Sequence, residues 1–534
     1  MQKVLLGVEA IAQGAIDGGM SGVYAYPGTP STEITEYVQH NKYATEKKIH
    51  SKWSANEKTA MEAALGMSYT GKRAMTCMKH VGLNVAADNF MNAAVTGVNG
   101  GMIVAVADDP SMHSSQNEQD SRYYGKFAQI PVLEPSNQQE AYDMAYYGFQ
   151  LSEQFGVPVM LRITTRLAHS RAVINLKETL PENGLKLPSN PQQFVLLPNI
   201  ARKQYKKLLA SQADFEKASN ESEFNSYFKG TDKSLGIIAC GISYNYLMEN
   251  YPNGCPYPIL KVSQYPLPRK LVEKLAEETE TILVLEEGYP IIEEHLKGYL
   301  EKESIKGRLD GSLPRDGELN PDHVAKALGL PVKHGSDIPE LVENRPPSLC
   351  VGCGHHDVYR AMNEAVATFG TGRVFSDIGC YTLGALEPYK AINTCVDMGA
   401  SITMAKGAAD AGLVPALSVI GDSTFTHSGM TGLLDAVLEK SPITVIISDN
   451  ESTSMTGGQE SSAKGKIEDI CIAIGVEPEH LHVINPIKKN HDEMVKMIKD
   501  ELNYNGVSVI VPRRICVQKN RKDIKLRKLK LATK

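Results

Sequence analysis

Asp422 and Asn450 are oxygen-bearing side chains that each follow a short apolar run. The runs, residues 416–421 and 443–448, are rich in β-branched residues, which is typical of buried parallel strands. The segment between them has helical spacing, so the pattern predicts a βαβ unit whose polar residues lie past the carboxyl ends of the strands, where open α/β sheets bind ligands. Mg²⁺ prefers oxygen ligands and is often shared with phosphates. We therefore predict that Asp422, Asn450 and the loop carbonyl of Ser452 hold a metal ion that binds a diphosphate.

Two other segments place polar residues at the start of a predicted helix. Residues 26–32 read Tyr-Pro-Gly-Thr-Pro-Ser-Thr after a predicted strand, and hydroxyls and amides at a helix start form a natural anion site. Thr29 is thus a candidate ligand, although the segment is also simply a good helix start. Glu57 lies in the second segment, residues 53–66. From position alone, Glu57 could equally be a solvated carboxylate favoured by the helix dipole.

Four cysteines have a dispersed arrangement that suits a metal cluster. Cys350 and Cys353 form a C-x₂-C pair, whereas Cys380 and Cys516 are distant in sequence. Four thiolates can hold a [4Fe–4S] cluster, but a single C-x₂-C pair could also bind zinc or be redox-active. The other five are predicted to be small buried hydrophobic residues; they are Cys77, Cys240, Cys255, Cys395 and Cys471.

A long polar loop follows a predicted strand at the same edge of the first sheet. Residues 108–122 contain few apolar side chains, and such loops in compact domains are often functional. Arg122 could bind a substrate carboxylate through a bidentate pair. His80 and His355 could line a cofactor, and each could equally be a structural histidine.

Length and composition exclude several classes of protein. The chain has 534 residues, 42% hydrophobic residues and a net charge of −6, as expected for a soluble globular protein with about three domains. No apolar run is long enough to span a membrane, and residues 1–10 are predicted to form an amphipathic helix rather than a signal peptide. An odd number of cysteines, nine, argues against a disulfide framework and favours a reducing cytoplasm.

The alternation of apolar strands and helical segments predicts three α/β domains. We place the first at residues 1–185, a linker at 186–233, a smaller domain at 234–317 and a third domain at 345–517. The first and third are expected to contain parallel sheets. Residues 518–534 carry a net charge of +7 and form a basic tail, either a solvated end or a binding site for an acidic partner. The tail has no aromatic residues between its charges, which argues against nucleic-acid binding.

Together these motifs resemble those of thiamine diphosphate enzymes. Gly421-Asp-Ser and Asn450 are similar to the diphosphate motif of that class, although Ser423 and Glu451 replace its usual second glycine and second asparagine. Residues 26–32 are similar to the segment of 2-oxoacid:ferredoxin oxidoreductases in which the threonine meets the substrate carboxylate. Across residues 1–517 the chain resembles the large subunits of the indolepyruvate:ferredoxin oxidoreductase family.

The resemblance implies a specific fold and site. It implies two thiamine-diphosphate-binding-type parallel-sheet domains, with a smaller transketolase C-terminal-like α/β domain between them. Glu57 would protonate the aminopyrimidine ring, and Gly421, Asp422, Ser423, Asn450, His355 and Thr29 would bind the cofactor. Cys350, Cys353, Cys380 and Cys516 would hold a [4Fe–4S] cluster.

The resemblance also implies a reaction and partners. The reaction would be oxidative decarboxylation of an aryl 2-oxoacid such as indolepyruvate, with coenzyme A as acyl acceptor and ferredoxin as electron acceptor. A smaller beta subunit is the expected partner. Longer members continue into a ferredoxin-like domain, which is expected to be absent here, so the basic tail could dock a separate ferredoxin. The alternatives are a non-oxidative thiamine-dependent decarboxylase and a catalytically silent assembly subunit.

Overall fold

A computed structural model describes most of the chain. The described residues are 1–297, 326, 331–332, 337, 339–343, 348–454, 459–461, 463–522 and 524, except positions 27, 55, 114, 116 and 252. The chain divides into two compact units, one formed by residues 1–289 and 349–534 and the other by residues 290–348. In the second unit the structure has a helix, Ile291–Lys297.

The first part of the larger unit contains a seven-stranded sheet. Its strands are β2 (Gly22–Ala25), β3 (His50–Trp53), β4 (Ala74–Lys79), β5 (Met102–Asp108), β6 (Val132–Leu133), β7 (Val159–Thr164) and β12 (Gln264–Tyr265). The order is β12-β6-β7-β5-β4-β2-β3, and every pair is parallel except β12 with β6. The strands that were predicted from apolar runs are confirmed, because these runs are buried on both faces as a parallel sheet requires.

Helices cover this sheet and follow its strands. They are α1 (Gly7–Asp17), α2 (Thr32–His40), α3 (Lys42–Glu46), α4 (Glu57–Tyr69), α5 (His80–Thr96), α6 (Arg122–Ala128), α7 (Gln138–Phe155) and α8 (Thr165–Ala168). The prediction that the chain begins with a helix is wrong for its first residues. Strand β1 (Gln2–Leu6) pairs antiparallel with β8 (Arg171–Asn175), and α1 starts only at Gly7, because a distant partner strand outweighs the local helical pattern.

A four-stranded sheet forms the small domain. Its order is β13-β10-β11-β9, with β9 (Ser226–Phe228), β10 (Gly236–Cys240), β11 (Ile259–Val262) and β13 (Ile282–Leu285). Its helices are α11 (Ser243–Asn250) and α12 (Arg269–Glu278). The predicted linker contains α9 (Pro198–Ala210) and α10 (Gln212–Asn220), and its strand β9 pairs with β11. Strand β9 therefore joins the sheet of the small domain although it lies within the predicted linker. The predicted limits at residues 317 and 345 lie outside the described residues.

A five-stranded parallel sheet carries the Asp422 unit. Its order is β14-β15-β16-β20-β19, with β14 (Val374–Ser376), β15 (Ala416–Gly421), β16 (Ile443–Ser448), β19 (Leu481–Ile484) and β20 (Val507–Pro512). A short antiparallel pair, β17 (Ser452–Thr453) and β18 (Gln459–Glu460), follows β16. The helix Ile291–Lys297 of the other unit is α13. The helices of this domain are α14 (His355–Val366), α15 (Ala400–Asp410), α16 (Asp422–Thr424), α17 (Met430–Leu438), α18 (Ile467–Ile474) and α19 (His491–Leu502).

Helices α4 and α15 bring the two parallel-sheet domains together. A Cβ atom on Gly66 would lie 2.5 Å from the carbonyl oxygen of Met404, and one on Gly407 would meet the carbonyl of Ala63. The two backbones can approach this closely only because these positions are glycines. This packing joins helix α4, which begins at Glu57, to the domain that carries Asp422.

Among the described helices, none is long and apolar enough to cross a membrane.

Candidate active site

Asp422, Asn450 and Ser452 converge at the end of two paired strands. Strands β15 and β16 run parallel, with Gly421 opposite Ser448. The amide of Ser452 donates to Asp422 Oδ2 at 3.2 Å and to Asn450 Oδ1 at 3.0 Å. The three predicted metal ligands therefore lie together at the carboxyl edge of the sheet.

The electrostatics of this cluster suit a hard cation. Asp422 is only 1% exposed, and burial together with the nearby Asp449 raises the pKa of its carboxyl to about 6. The buried Ser452 Oγ finds no hydrogen-bond partner in the described part of the chain. The carbonyl of Ser452, the predicted third ligand, accepts from Ser454 Oγ at 3.3 Å, so the hydroxyl is a second candidate. This oxygen donor set fits Mg²⁺.

Tyr381 shapes the turn that carries Asp422. A Cβ atom on Gly421 would lie 2.5 Å from the ring carbon Cε1 of Tyr381, so only glycine fits there. The Tyr381 hydroxyl donates to Asp377, whose pKa burial raises to about 7. Ser423, which follows Asp422 at the start of helix α16, is half-buried. Tyr381 was not predicted; its only sequence signal was its place beside Cys380.

Glu57 and Thr29 lie at the carboxyl edge of the first sheet. Glu57 is half-buried and is the first residue of α4, where Asn56 caps the helix by accepting from Thr59 N at 2.8 Å. Thr29 is exposed in the turn after β2. In that turn the Gly28 amide donates to Thr32 Oγ1 at 2.9 Å.

Glu62, the other acidic residue of α4, belongs to a buried network between the domains. It is 1% exposed and pairs with Lys58, whose ammonium lies 3.7 Å from Asp397. Burial raises the pKa of Glu62 and, with help from Glu62, that of Asp397. Glu57, by contrast, is directed toward Gly82 of helix α5.

The substrate role predicted for Arg122 does not fit its surroundings. Its guanidinium is 2% exposed, lies 2.5 Å from Asp120 Oδ2 and 3.0 Å from Glu286 Oε2, and donates to the Tyr289 carbonyl. Burial disfavours the charge, but the surrounding carboxylates raise the Arg122 pKa above its usual value. Arg122 therefore joins the 108–122 loop to the small domain, and its charge is already neutralised.

Four cysteines gather beside the predicted metal ligands. Burial raises the pKa of Cys380 to about 11, with the thiols of Cys353, Cys516 and Cys350 as further contributors. Burial also raises the pKa of Cys353. The amide of Cys516 donates to the carbonyl of Asn450 at 3.1 Å, which ties the cysteine group directly to the loop that carries the predicted metal ligand. The thiols that act on Cys353 and Cys380 come from the same four cysteines, an arrangement that suits a cluster better than an isolated thiol would.

The two candidate histidines are both buried. Burial lowers the pKa of His355 to about 4, so its imidazole is neutral at pH 7, and its Nε2 lacks a partner among the residues the structure describes. Nε2 of His355 could accept or donate a hydrogen bond, depending on the tautomer, and it therefore suits a contact with a cofactor. Nε2 of His80 lies 3.0 Å from the carbonyl of Asn117, which fits a structural role in the loop.

Comparisons with known proteins agree with this architecture. A family described as pyruvate flavodoxin/ferredoxin oxidoreductase, thiamine diphosphate-binding, matches residues 13–204, and the C-terminal binding domain of thiamine pyrophosphate enzymes matches residues 377–511. The solved thiamine diphosphate-dependent 4-hydroxybenzoylformate decarboxylase of Rhodococcus jostii has a similar fold, with a TM-score of 0.50 at 12% identity over 96% of this chain and 99% of its own.

Curated relatives are similar over nearly the whole chain. Indolepyruvate oxidoreductase subunit IorA of Archaeoglobus fulgidus is 40% identical over 96% of this chain and 86% of its own length. The subunit of the same name from Pyrococcus abyssi is 38% identical over 96% of this chain and 85% of its own. The chain therefore belongs to the family of indolepyruvate oxidoreductase IorA subunits, a family of oxidoreductases with two thiamine diphosphate domains.

Proposed function

We propose that this chain is the thiamine-binding subunit of an enzyme that oxidatively decarboxylates aryl 2-oxoacids such as indolepyruvate. Coenzyme A accepts the acyl group, ferredoxin accepts the electrons, and a smaller beta subunit completes the enzyme. The observation that carries this proposal is the contact between Cys516 and Asn450, because it joins a group of four thiols to the diphosphate edge. Nine free thiols suit a reducing cytoplasm.

The described residues have separate tasks in this proposal. Asp422, Asn450 and Ser452 would hold Mg²⁺ and the diphosphate, and Gly421 and Ser423 would leave room for it at the start of the helix. Glu57 would hold a proton against the aminopyrimidine ring, and the neutral His355 would offer Nε2. Thr29 would contact the substrate carboxylate. When bound, thiamine diphosphate supplies the electron sink for decarboxylation.

The competing functions give different products. A non-oxidative decarboxylase would release an aldehyde without needing coenzyme A, and a silent assembly subunit would not bind thiamine diphosphate. The decisive experiment is anaerobic purification with the beta subunit, followed by assays of iron and of arylpyruvate-dependent dye reduction. We expect iron to be present and dye reduction to require coenzyme A. Aldehyde release without dye reduction would contradict the proposal.

The cysteine group gives a direct prediction. Replacing Cys380 by serine should lower the iron content of the complex and abolish dye reduction, because serine is a poor ligand for a [4Fe–4S] cluster. Thiamine diphosphate binding, measured by calorimetry, should stay within about threefold, or about 0.7 kcal/mol, because Cys380 is not among the residues proposed to bind the cofactor. Cys471→Ser is the matched control, because Cys471 is a buried cysteine that is not among the thiols acting on Cys353 or Cys380. Equal iron in the Cys380 variant and the control would contradict the cluster.

A further inference from the structure

Gly82 lies in the first turn of helix α5 and faces the side chain of Glu57. A Cβ atom on Gly82 would lie 2.6 Å from Oε1, 2.8 Å from Cγ and 2.9 Å from Cδ of Glu57. Non-bonded carbon atoms are normally about 3.5–4.0 Å apart. The Glu57 side chain therefore occupies the space that any larger residue at position 82 would fill.

Backbone conformation does not explain this glycine. Gly82 lies inside α5, which spans His80–Thr96, and it is not one of the glycines with a positive φ angle. Glycine is among the least favourable residues within a helix, where alanine is the most favourable. The position therefore sacrifices helix propensity, and the contact with Glu57 is the structural feature that accounts for it.

We propose that Gly82 is a positioning residue that fixes the Glu57 carboxylate above the first turn of α5. This inference rests on the proposed role of Glu57 as the proton partner of the aminopyrimidine ring. The free amides and the positive end of the α5 dipole favour a carboxylate at this place. An added methyl group would displace the carboxylate, and a proton partner must stay within about 2.6–3.2 Å of the atom it serves.

The test is the Gly82→Ala variant, assayed in the complex with the beta subunit. Glu57 has a flexible side chain and can move aside, so the variant should fold with an unchanged or higher melting temperature. Dye reduction should fall by about 10- to 100-fold, because small misplacements of a reacting group have effects of this size. Hydrogen–deuterium exchange at the reactive ring carbon of bound thiamine diphosphate should slow by a similar factor, whereas cofactor affinity should change little.

A double variant separates positioning from a general structural effect. In the Glu57→Ala background, Gly82→Ala should cause less than about a twofold further loss, because residues that act as a unit are strongly non-additive. Gly148→Ala is the matched control. Gly148 lies within helix α7, and a Cβ atom added to it would have the flexible Cδ1 of Ile103 as its nearest neighbour, at 3.0 Å. We expect that control to keep wild-type activity and exchange rate.

The outcomes distinguish the positioning role of Gly82 from the proposed role of Glu57 on which it rests. Full activity in Glu57→Ala would overturn the role of Glu57, and with it the positioning role of Gly82. A Glu57→Ala variant that loses activity, together with a fully active Gly82→Ala variant, would overturn only the positioning role. A further loss of tenfold or more in the double variant would also reject it, because Gly82 would then act independently of Glu57.

Discussion

Replacing Asp422 by asparagine is expected to weaken thiamine diphosphate binding at least about a hundredfold and to make the cofactor-free protein more stable. The affinity should fall because the substitution removes the one carboxylate among the three predicted ligands, Asp422, Asn450 and Ser452. The stability should rise because Asp422 is buried beside Asp449, so that its ionised form is unfavourable without a cation.

The stability change should depend on pH in a defined direction. The folded protein raises the Asp422 pKa from 3.8 to about 6, so ionised Asp422 destabilises the fold. Well below pH 3.8 the carboxyl is protonated in both the folded and unfolded states, and this cost is absent. The cost grows between pH 4 and 6 and is complete above that range, where it amounts to about 1–3 kcal/mol. The advantage of Asp422→Asn should therefore be present at pH 8 and largely lost at pH 4.5.

Calorimetry with Mg²⁺ and thiamine diphosphate measures the first effect, and denaturant unfolding of the metal-free protein at two pH values measures the second. Asp492→Asn is the control, because Asp492 is an exposed residue in the first turn of helix α19. It should change neither quantity appreciably. A variant that loses affinity and stability together would point to structural damage and would contradict the assignment of Asp422 as a metal ligand.

The parts of the site that could be predicted from sequence are those set by local pattern. Strands β15 and β16 are continuous apolar runs, so their pairing and the place of Asp422 and Asn450 follow from burial and strand ends alone. The Asn56 cap likewise marks the start of α4, and with it the position of Glu57.

The parts that could not be predicted depend on distant segments. Arg122 has the residue type that binds a substrate carboxylate, yet Glu286, more than a hundred and fifty positions away, neutralises it. The sequence of strand β9 is typical of a polar linker, and its pairing with β11 becomes visible only in the structure. The roles of Gly82 and Tyr381 are steric, and such complementarity becomes visible only when the side chains are placed.

Replacing Lys406 by methionine is expected to destabilise the chain by about 3–5 kcal/mol, because it would leave the half-buried carboxylates of Asp410 and Glu439 without their cation. Lys406 is fully buried, and its ammonium lies 3.1 Å from Asp410 Oδ2 and 3.1 Å from Glu439 Oε2. Burial disfavours its charge, yet these carboxylates raise its pKa. Tyr24 of strand β2 donates to Asp410 at 3.1 Å, so the network joins the two parallel-sheet domains.

The same network explains why a metal-like arrangement nearby needs no metal. His50, Asp410 and Glu439 present ligand atoms within 4.8 Å of one another, which is close enough for an ion. The Lys406 ammonium already lies against both carboxylates, so it supplies the positive charge that an ion would bring. Neutralising the partners as well, with Asp410→Asn and Glu439→Gln, should therefore recover most of the stability that Lys406→Met loses.

Tryptophan fluorescence can measure these changes in stability. Trp53 is the chain's one tryptophan, and it ends strand β3, which begins at His50. Its fluorescence during denaturant unfolding therefore reports on the strand beside the network. Lys233→Met is the matched control: its ammonium pairs with Glu278 but its side chain is 44% exposed, so the loss should stay below about 1 kcal/mol. An equal loss of unfolding free energy in Lys406→Met and Lys233→Met would mean that the Lys406 network does not hold the domains together. If the triple variant, with Asp410→Asn and Glu439→Gln added, is no more stable than Lys406→Met, the carboxylates left without a cation are not the cause of the loss.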